Sequence, residues 1–409
     1  MKQLTNIFKS DKFLAILDQS ISSGFGFVIT IFLARELSAS DFGLFSSLIL
    51  IGFLLISFSN SLIIQPFQVA PQHYKSEPTY IAFLFTTQLI FCFILIPAIC
   101  ITNYALKQYN LSSLNLVIFF TGLLLNDFFR KYFLAIGNIR LSVIFDSLVV
   151  FFQFIGYLIL YYMNNLELSS VLYVVSVSFF LVAISAIIYI NPFTNFNSSL
   201  SKYVSFHYRE GRWLSLVSFV QWGSSNFIVL AIGAIINIEA VGAFRLVQSL
   251  FGILNIVFQT YENYVLPCAS KLHALSAKKS KTYLQQVSIK SSLTTAVLLI
   301  IIFYFSNQIM ILVGGDKYRA YSYIIKGMSV LYFILFIGYP VRLSIRMLLL
   351  SSHFFIGYLL AFIFSMLFFK QLISSYQLNG IIYGLIINQI IMISYWAYQL
   401  HKNKFYIWK

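Results

Sequence analysis

Arg35-Glu36-Leu37-Ser38-Ala39-Ser40-Asp41-Phe42-Gly43-Leu44-Phe45 is a short polar stretch between two long apolar runs. It reads as the outer hairpin joining the first two membrane spans. A weaker copy, Ile236-Asn237-Ile238-Glu239-Ala240-Val241-Gly242-Ala243-Phe244, lies about half the chain further on. Gly43 falls on Gly242, Phe42 on Val241, Leu37 on Ile236 and Phe45 on Phe244. Each copy sits between two apolar runs, so the chain reads as a duplicated half-unit, a known build of membrane transporters.

Composition supports a bilayer setting. Charged residues are 10% and apolar residues 59% of the chain, whereas a soluble domain carries roughly a quarter charged residues. Most of the surface therefore cannot face water. The net charge of +15 invites a nucleic-acid reading, but the Lys and Arg residues are scattered between apolar runs and build no basic face on a soluble fold. Cys92, Cys100 and Cys268 fall in or beside apolar runs, with neither metal spacing nor a disulfide framework. The first run follows Lys2, Lys9 and Lys12 as a signal core would. It is longer than such a core and no soluble domain follows, so it reads as a retained span.

Run lengths predict an all-α, polytopic membrane protein of twelve spans, near 13–34, 43–64, 80–101, 113–136, 139–162, 169–190, 213–236, 243–266, 287–310, 320–345, 352–373 and 379–401. An N-terminal six-helix bundle would occupy 1–195, a linker 196–212 and a C-terminal six-helix bundle 213–409. Most Lys and Arg residues fall in the tails and in alternate connections, among them Lys75, Arg140, Lys202, Arg209 and Lys271 to Lys290. The positive-inside rule then predicts both termini in the cytoplasm. The polar stretches Asn191 to Arg212 and Pro267 to Gln286 are the longest connections. The second reads as a solvated loop, or alternatively as an amphipathic helix touching anionic lipid. Outer connections are short and leave no room for an extracytoplasmic catalytic domain.

No catalytic set emerges. The five histidines make no H-x-x-x-H or H-E-x-x-H pattern, and there is no Walker loop. No cofactor, metal or enzymatic activity is expected. The informative residues are polar groups inside spans, where a charge costs about 2.5–3.5 kcal/mol at the bilayer centre. In the eighth span Arg245, Gln248, Ser249, Gly252, Asn255, Gln259, Glu262 and Asn263 recur at steps of three and four, one helical face. Such a stripe implies a water-filled cavity or a polar helix interface. Weaker versions are Asp18, Gln19 and Ser22 in the first span and Ser218, Gln221 and Ser225 in the seventh. The fourth carries Asn126 and Arg130, with Asp127 and Lys131 four apart. Arg130, Arg342 and Arg346 lie near span ends, where they either snorkel or face a ligand. Pro340 could turn the last two inward. The substrate candidates are thus Arg245, Gln248, Asn255, Gln259, Arg130, Gln19, Gln221, Arg342 and Arg346. Asp18 and Glu262 are the candidates for coupling to a proton or sodium ion.

The stretch Ala34 to Phe45, with Glu239 to Ser249 and the turn Gly314 to Tyr318, resembles polysaccharide-biosynthesis and O-antigen flippases of the multidrug/oligosaccharidyl-lipid/polysaccharide exporter superfamily. The resemblance implies two six-helix bundles around a central cavity, working by alternating access. It implies a polyprenyl-pyrophosphate-linked oligosaccharide as cargo, turned across the bacterial inner membrane. Membrane lipid, a coupling ion and polymerase or export proteins would be its partners, and nucleic acid would not. Arg245 matches the position at which related lipid-linked precursor flippases place a cavity arginine. Asp18 stands where those relatives suggest a cation. The rival expectations are a cation-coupled multidrug exporter of the same fold and, of another class, a membrane-embedded glycan polymerase.

Overall fold

A computed structural model describes residues 11–75, 77–105, 111–193, 200–255, 258, 265–405 and 407, without the side chains of 11–20, 22, 23, 72 and 102–105. Among the described residues there are helices and no strands. This follows from the medium: backbone N–H and C=O groups facing hydrocarbon must be satisfied within their own segment.

The first hairpin is α1 (Asp11–Glu36) followed by α2 (Ala39–Ser59). Ser38 caps α2. Its Oγ accepts from the Asp41 backbone N–H at 3.0 Å and donates to the Asp41 carboxylate at 2.9 Å. The cap satisfies one orphan N–H of the helix, and the carboxylate orients the hydroxyl. A π-helical turn, Asn60–Ile64, and a short helix, Gln65–Val69, extend α2. Then come α3 (Pro78–Ala105), α4 (Ser113–Ala135), α5 (Ile139–Tyr162) and α6 (Leu168–Ile190).

The second copy repeats the design. Helix α7 (Leu200–Ile235) leads into α8 (Ile238–Gly252), and the Asn237 side chain caps α8 by accepting from Ala240 N–H at 2.7 Å. Ser38 and Asn237 stand at equivalent positions of the repeat, each spending its side-chain oxygen on an orphan N–H of the next helix. Next come α9 (Leu266–Leu275), α10 (Ala277–Tyr304) and α11 (Ser306–Gly314), then a 3₁₀ turn Asp316–Tyr321. The chain ends in α12 (Tyr323–Met347) and α13 (Ser351–Lys402), whose backbone breaks at Gln377 (φ 50°) into segments 351–376 and 378–402.

Nine of the described helical stretches are long and apolar enough to cross a membrane. Each of the twelve expected spans lies largely on helix where it is described, the last two being the segments of α13. Large apolar side chains stay exposed along them, such as Phe93 (73%), Leu293 (69%) and Leu367 (70%). A lipid solvent rather than water accounts for that. Two polar connections depart from their reading as loops. Residues 200–212 are the first turns of α7, and Pro267 to Gln286 is helical in α9 and α10 apart from Ser276. Both stretches are too polar to register as apolar runs, yet neither carries an internal proline.

The chain divides into two compact units. One takes the described residues of Met1–Ile29 and Leu48–Phe219, the other Thr30–Ser47 and Val220–Lys409. The first outer hairpin thus belongs with the second copy. A Cβ at Gly43 would collide with the Ile238 carbonyl, and one at Gly242 would lie 3.0 Å from the Phe42 ring and 3.1 Å from Gly43 N. Lys317, from the 3₁₀ turn, donates to the Arg35 carbonyl at 2.9 Å and to the Leu37 carbonyl, closing the C-terminal end of α1. Phe42 meets the Tyr318 ring edge-on.

The first unit has its own tie. Pro66 has no N–H to return to the Leu62 carbonyl four residues earlier. His207 of α7 supplies it, its Nδ1 lying 2.9 Å from that oxygen. The opposite ring nitrogen then accepts from the Tyr80 hydroxyl at 2.8 Å. Glu77, beside this cluster, accepts from Tyr203 and from Lys202.

Candidate functional site

The second unit contains a polar cavity of about 440 Å³. Its walls come from four helical stretches. Arg245 and Gln248 on α8, one turn apart, face it with Asn255 beyond. The Arg245 guanidinium donates from Nη1 to Gln248 Oε1 at 2.9 Å, which fixes both heads on one side. Gln221, Ser224 and Ser225 enter from α7. Arg342 enters from α12, two residues after Pro340. Its guanidinium stands 5.4 Å from the Tyr339 ring centroid and 5.8 Å from that of Phe354, an orientation aromatic faces favour for arginine. Asn388 and Gln389 come from the second segment of α13, and Tyr332 and Tyr358 add aromatic surface.

Asn388 holds the floor together. It is 1% exposed. Its amide nitrogen donates to Ser365 Oγ at 2.7 Å and to the Ser224 carbonyl at 3.1 Å. One side chain thereby joins α7 to both segments of α13. Among the described residues its Oδ1 accepts no hydrogen bond.

Five of the residues expected from sequence therefore border one cavity: Arg245, Gln248, Asn255, Gln221 and Arg342. Others lie elsewhere. Arg130 is in the first unit, with Nε 2.8 Å from Asp146 Oδ2. Asp127 and Lys131 form the i,i+4 ion pair that their spacing allowed, at 2.9 Å. Arg346 stands over the Phe354 ring at 5.9 Å, outside the cavity lining. Asp18 and Gln19 lie on α1, with undescribed side chains, and Gln259 and Glu262 fall outside the described residues. Asn388 and Gln389 were not anticipated. Their signal was present as adjacent amides inside Ile386-Ile387-Asn388-Gln389-Ile390-Ile391.

Two guanidinium groups and five amide side chains border this space, and among the described lining residues there is no Asp or Glu. The volume lies within the range of roughly 300–1,000 Å³ usual for ligand pockets. Such a wall can hold an anion through forked, charge-assisted bonds and neutral polar groups through amides. Among the described lining residues no nucleophile is paired with a base.

The apolar helices make the chain a multi-pass membrane protein, and its fold is similar to that of solved transporters. No family model matches the sequence, and no curated protein does. Solved structures match over nearly the whole length. The lipid II flippase MurJ in an inward closed conformation aligns with a TM-score of 0.73 at 11% identity, over 95% of this chain and 87% of that one. An inward-facing multidrug resistance MATE family transporter of the MOP superfamily aligns with a TM-score of 0.69 at 12% identity, over 97% and 96%. The MATE multidrug transporter DinF-BH gives a TM-score of 0.62 at 13% identity, over 98% and 96%.

Proposed function

We propose that this chain is a flippase. It turns a polyprenyl-pyrophosphate-linked oligosaccharide, an O-antigen or other surface-polysaccharide repeat unit, across the bacterial inner membrane by alternating access. In this reading both termini are cytoplasmic, and the N-terminal (1–195) and C-terminal (213–409) bundles are the two halves that alternate. No covalent bond is made or broken. One observation carries the reading: Arg245 and Arg342 border the same cavity, among amides and with no carboxylate from the described residues. A pyrophosphate or acidic sugar suits the guanidinium groups, and sugar hydroxyls suit Gln221, Gln248, Asn388 and Gln389. The lipid tail stays in the bilayer. Asp18 or Glu262 would couple the cycle to a proton or sodium ion.

The second reading is a multidrug exporter of the same fold, favoured by the aromatic wall of Tyr332 and Tyr358 and by the likeness to multidrug transporters. The guanidinium groups of Arg245 and Arg342 in the lining weigh against a cationic cargo.

A deletion strain separates the two. Accumulation of single lipid-linked units inside the cell, reversed by the wild-type gene and not by Arg245→Ala present at equal level in the membrane, is expected. Normal glycan export by that variant would remove Arg245 from the mechanism. Altered drug resistance with an unchanged glycan profile would select the exporter.

A further inference from the structure

We propose that the corner where α9 meets α10, completed by the C-terminal tail, is a docking surface for anionic phospholipid headgroups. The inference does not depend on what the chain carries. Helix α10 begins at Ala277 and runs on into the expected ninth span, and the second segment of α13 ends at Lys402. The tail brings these two ends together. Phe405 and Ile407 are each 4% exposed. The Phe405 ring meets His273 edge-on at 5.6 Å, and the Lys281 ammonium stands 5.1 Å from its centroid. The Gln285 amide donates to the Ile407 carbonyl. Spans that end side by side end at the same face of the bilayer, so the corner sits at headgroup level.

Sequence alone places Lys271, Lys278 and Lys279 more than a hundred residues from Lys402 and Lys404. The folded-back tail puts all five at one corner, and all five are exposed. No Asp or Glu occurs between Asn263 and Gly315, and none follows Asp316. This part of the chain therefore supplies no acidic side chain to neutralise the field of the lysines. At the apex Ser276 is extended (φ −166°, ψ 129°) and Leu275 is 75% exposed beside the lysines. An apolar side chain ringed by ammonium groups at the end of spanning helices matches the interfacial pattern: the apolar group dips below the phosphates and the cations hold them. A surface that merely solvated its charges would have no preference for lipid charge.

The test uses the purified full-length chain in neutral detergent, with added phosphatidylglycerol or phosphatidylcholine and bound lipid counted by native mass spectrometry. Phosphatidylglycerol should be retained and phosphatidylcholine lost. Each lysine contributes on the order of fivefold to binding at an anionic surface, so Lys278→Ala combined with Lys279→Ala should weaken phosphatidylglycerol binding at least tenfold. Added salt should weaken the wild type in the same direction. Leu275→Ser should reduce retention and leave the lipid-free melting temperature unchanged, which separates docking from folding. Three results would overturn the proposal: equal retention of the two lipids, unchanged affinity in the double variant, or competition by soluble glycerol phosphate at the concentration at which the lipid binds.

Discussion

Gly43 and Gly242, equivalent positions of the internal repeat, meet in the folded protein: the Cα of Gly43 lies where a Cβ on Gly242 would come within 3.2 Å. The two hairpins pack backbone to backbone, and each glycine is small because the other copy lies against it. The contacts are unequal. A methyl on Gly43 runs into the Ile238 carbonyl, which belongs to the backbone, whereas a methyl on Gly242 first meets the Phe42 ring. The first is a deep overlap with backbone, and the second comes no nearer than 3.0 Å to any atom. Gly43→Ala should therefore cost about 1–3 kcal/mol from overpacking, and Gly242→Ala less than half of that. Thermal unfolding of the two variants in detergent checks the order, and equal melting temperatures would contradict the close approach.

The Arg130–Asp146 pair carries a second prediction. Asp146 is 6% exposed, so removing the arginine leaves a buried carboxylate without this cation. Arg130→Ala should destabilise the protein by roughly 3 kcal/mol, and Asp146→Asn alone should cost less because it leaves no buried anion. In Asp146→Asn the further change Arg130→Gln should add little. A cargo-binding Arg130 would behave otherwise, with transport lost at unchanged stability. Unfolding midpoints and glycan export measured on the same variants separate the two roles.

Much of this architecture was legible in the residues. Span positions follow from run length because the bilayer sets it, and the hairpin repeat was visible in Gly43 and Gly242. The stripe of Arg245, Gln248 and Asn255 was legible because polar groups in a span are costly and fall on one face. Asn388 and Gln389 escaped because their polar neighbours, Ser224, Ser365 and Arg342, come from other helices. Periodicity within one helix cannot report them. Arg130 was read as snorkelling or facing a ligand, whereas it pairs across the turn with Asp146. The expected linker lost residues 200–212 to α7, since a polar helix outside the apolar layer leaves no hydrophobic run to read.

Asn388 should matter to the shape of the cavity rather than to protein yield. Its two donated bonds lie in a membrane protein, where interhelical hydrogen bonds average about 0.6 kcal/mol and reach about 1.7. Asn388→Ala should therefore cost about 1–2 kcal/mol. A double-mutant cycle with Ser365→Ala should recover a coupling of about 0.6 kcal/mol. Asn388→Asp is the sharper probe. A carboxylate has no N–H for the Ser224 carbonyl and repels it, so this variant should be less stable than Asn388→Ala despite its closer shape. The reverse order in unfolding midpoints would mean that the donors do not set the contact.

Outside the spans, Glu77 ties the stability of the first unit to pH. Its carboxyl is held below the usual 4.5, first by the Tyr203 hydroxyl and then by the Lys202 ammonium, against the opposing pull of desolvation. A carboxylate whose folded value is depressed contributes stability that is fully present above its unfolded value and is lost as pH falls through the folded one. The wild type should therefore lose melting temperature below about pH 4.5, and Glu77→Gln should flatten that limb by lowering the neutral plateau toward the acid level. The Tyr203 hydroxyl is the largest cause, so Tyr203→Phe should flatten the limb in part, leaving what Lys202 contributes. The Pro66–His207 tie nearby should be indifferent to Glu77, because it satisfies a different group, the Leu62 carbonyl. His207→Leu strands that oxygen and should cost about 1–3 kcal/mol. Pro66→Ala in the same chain restores an N–H at the position Pro66 vacates and should recover part of the loss. If the double variant is no more stable than His207→Leu alone, the proline is not the reason His207 is there.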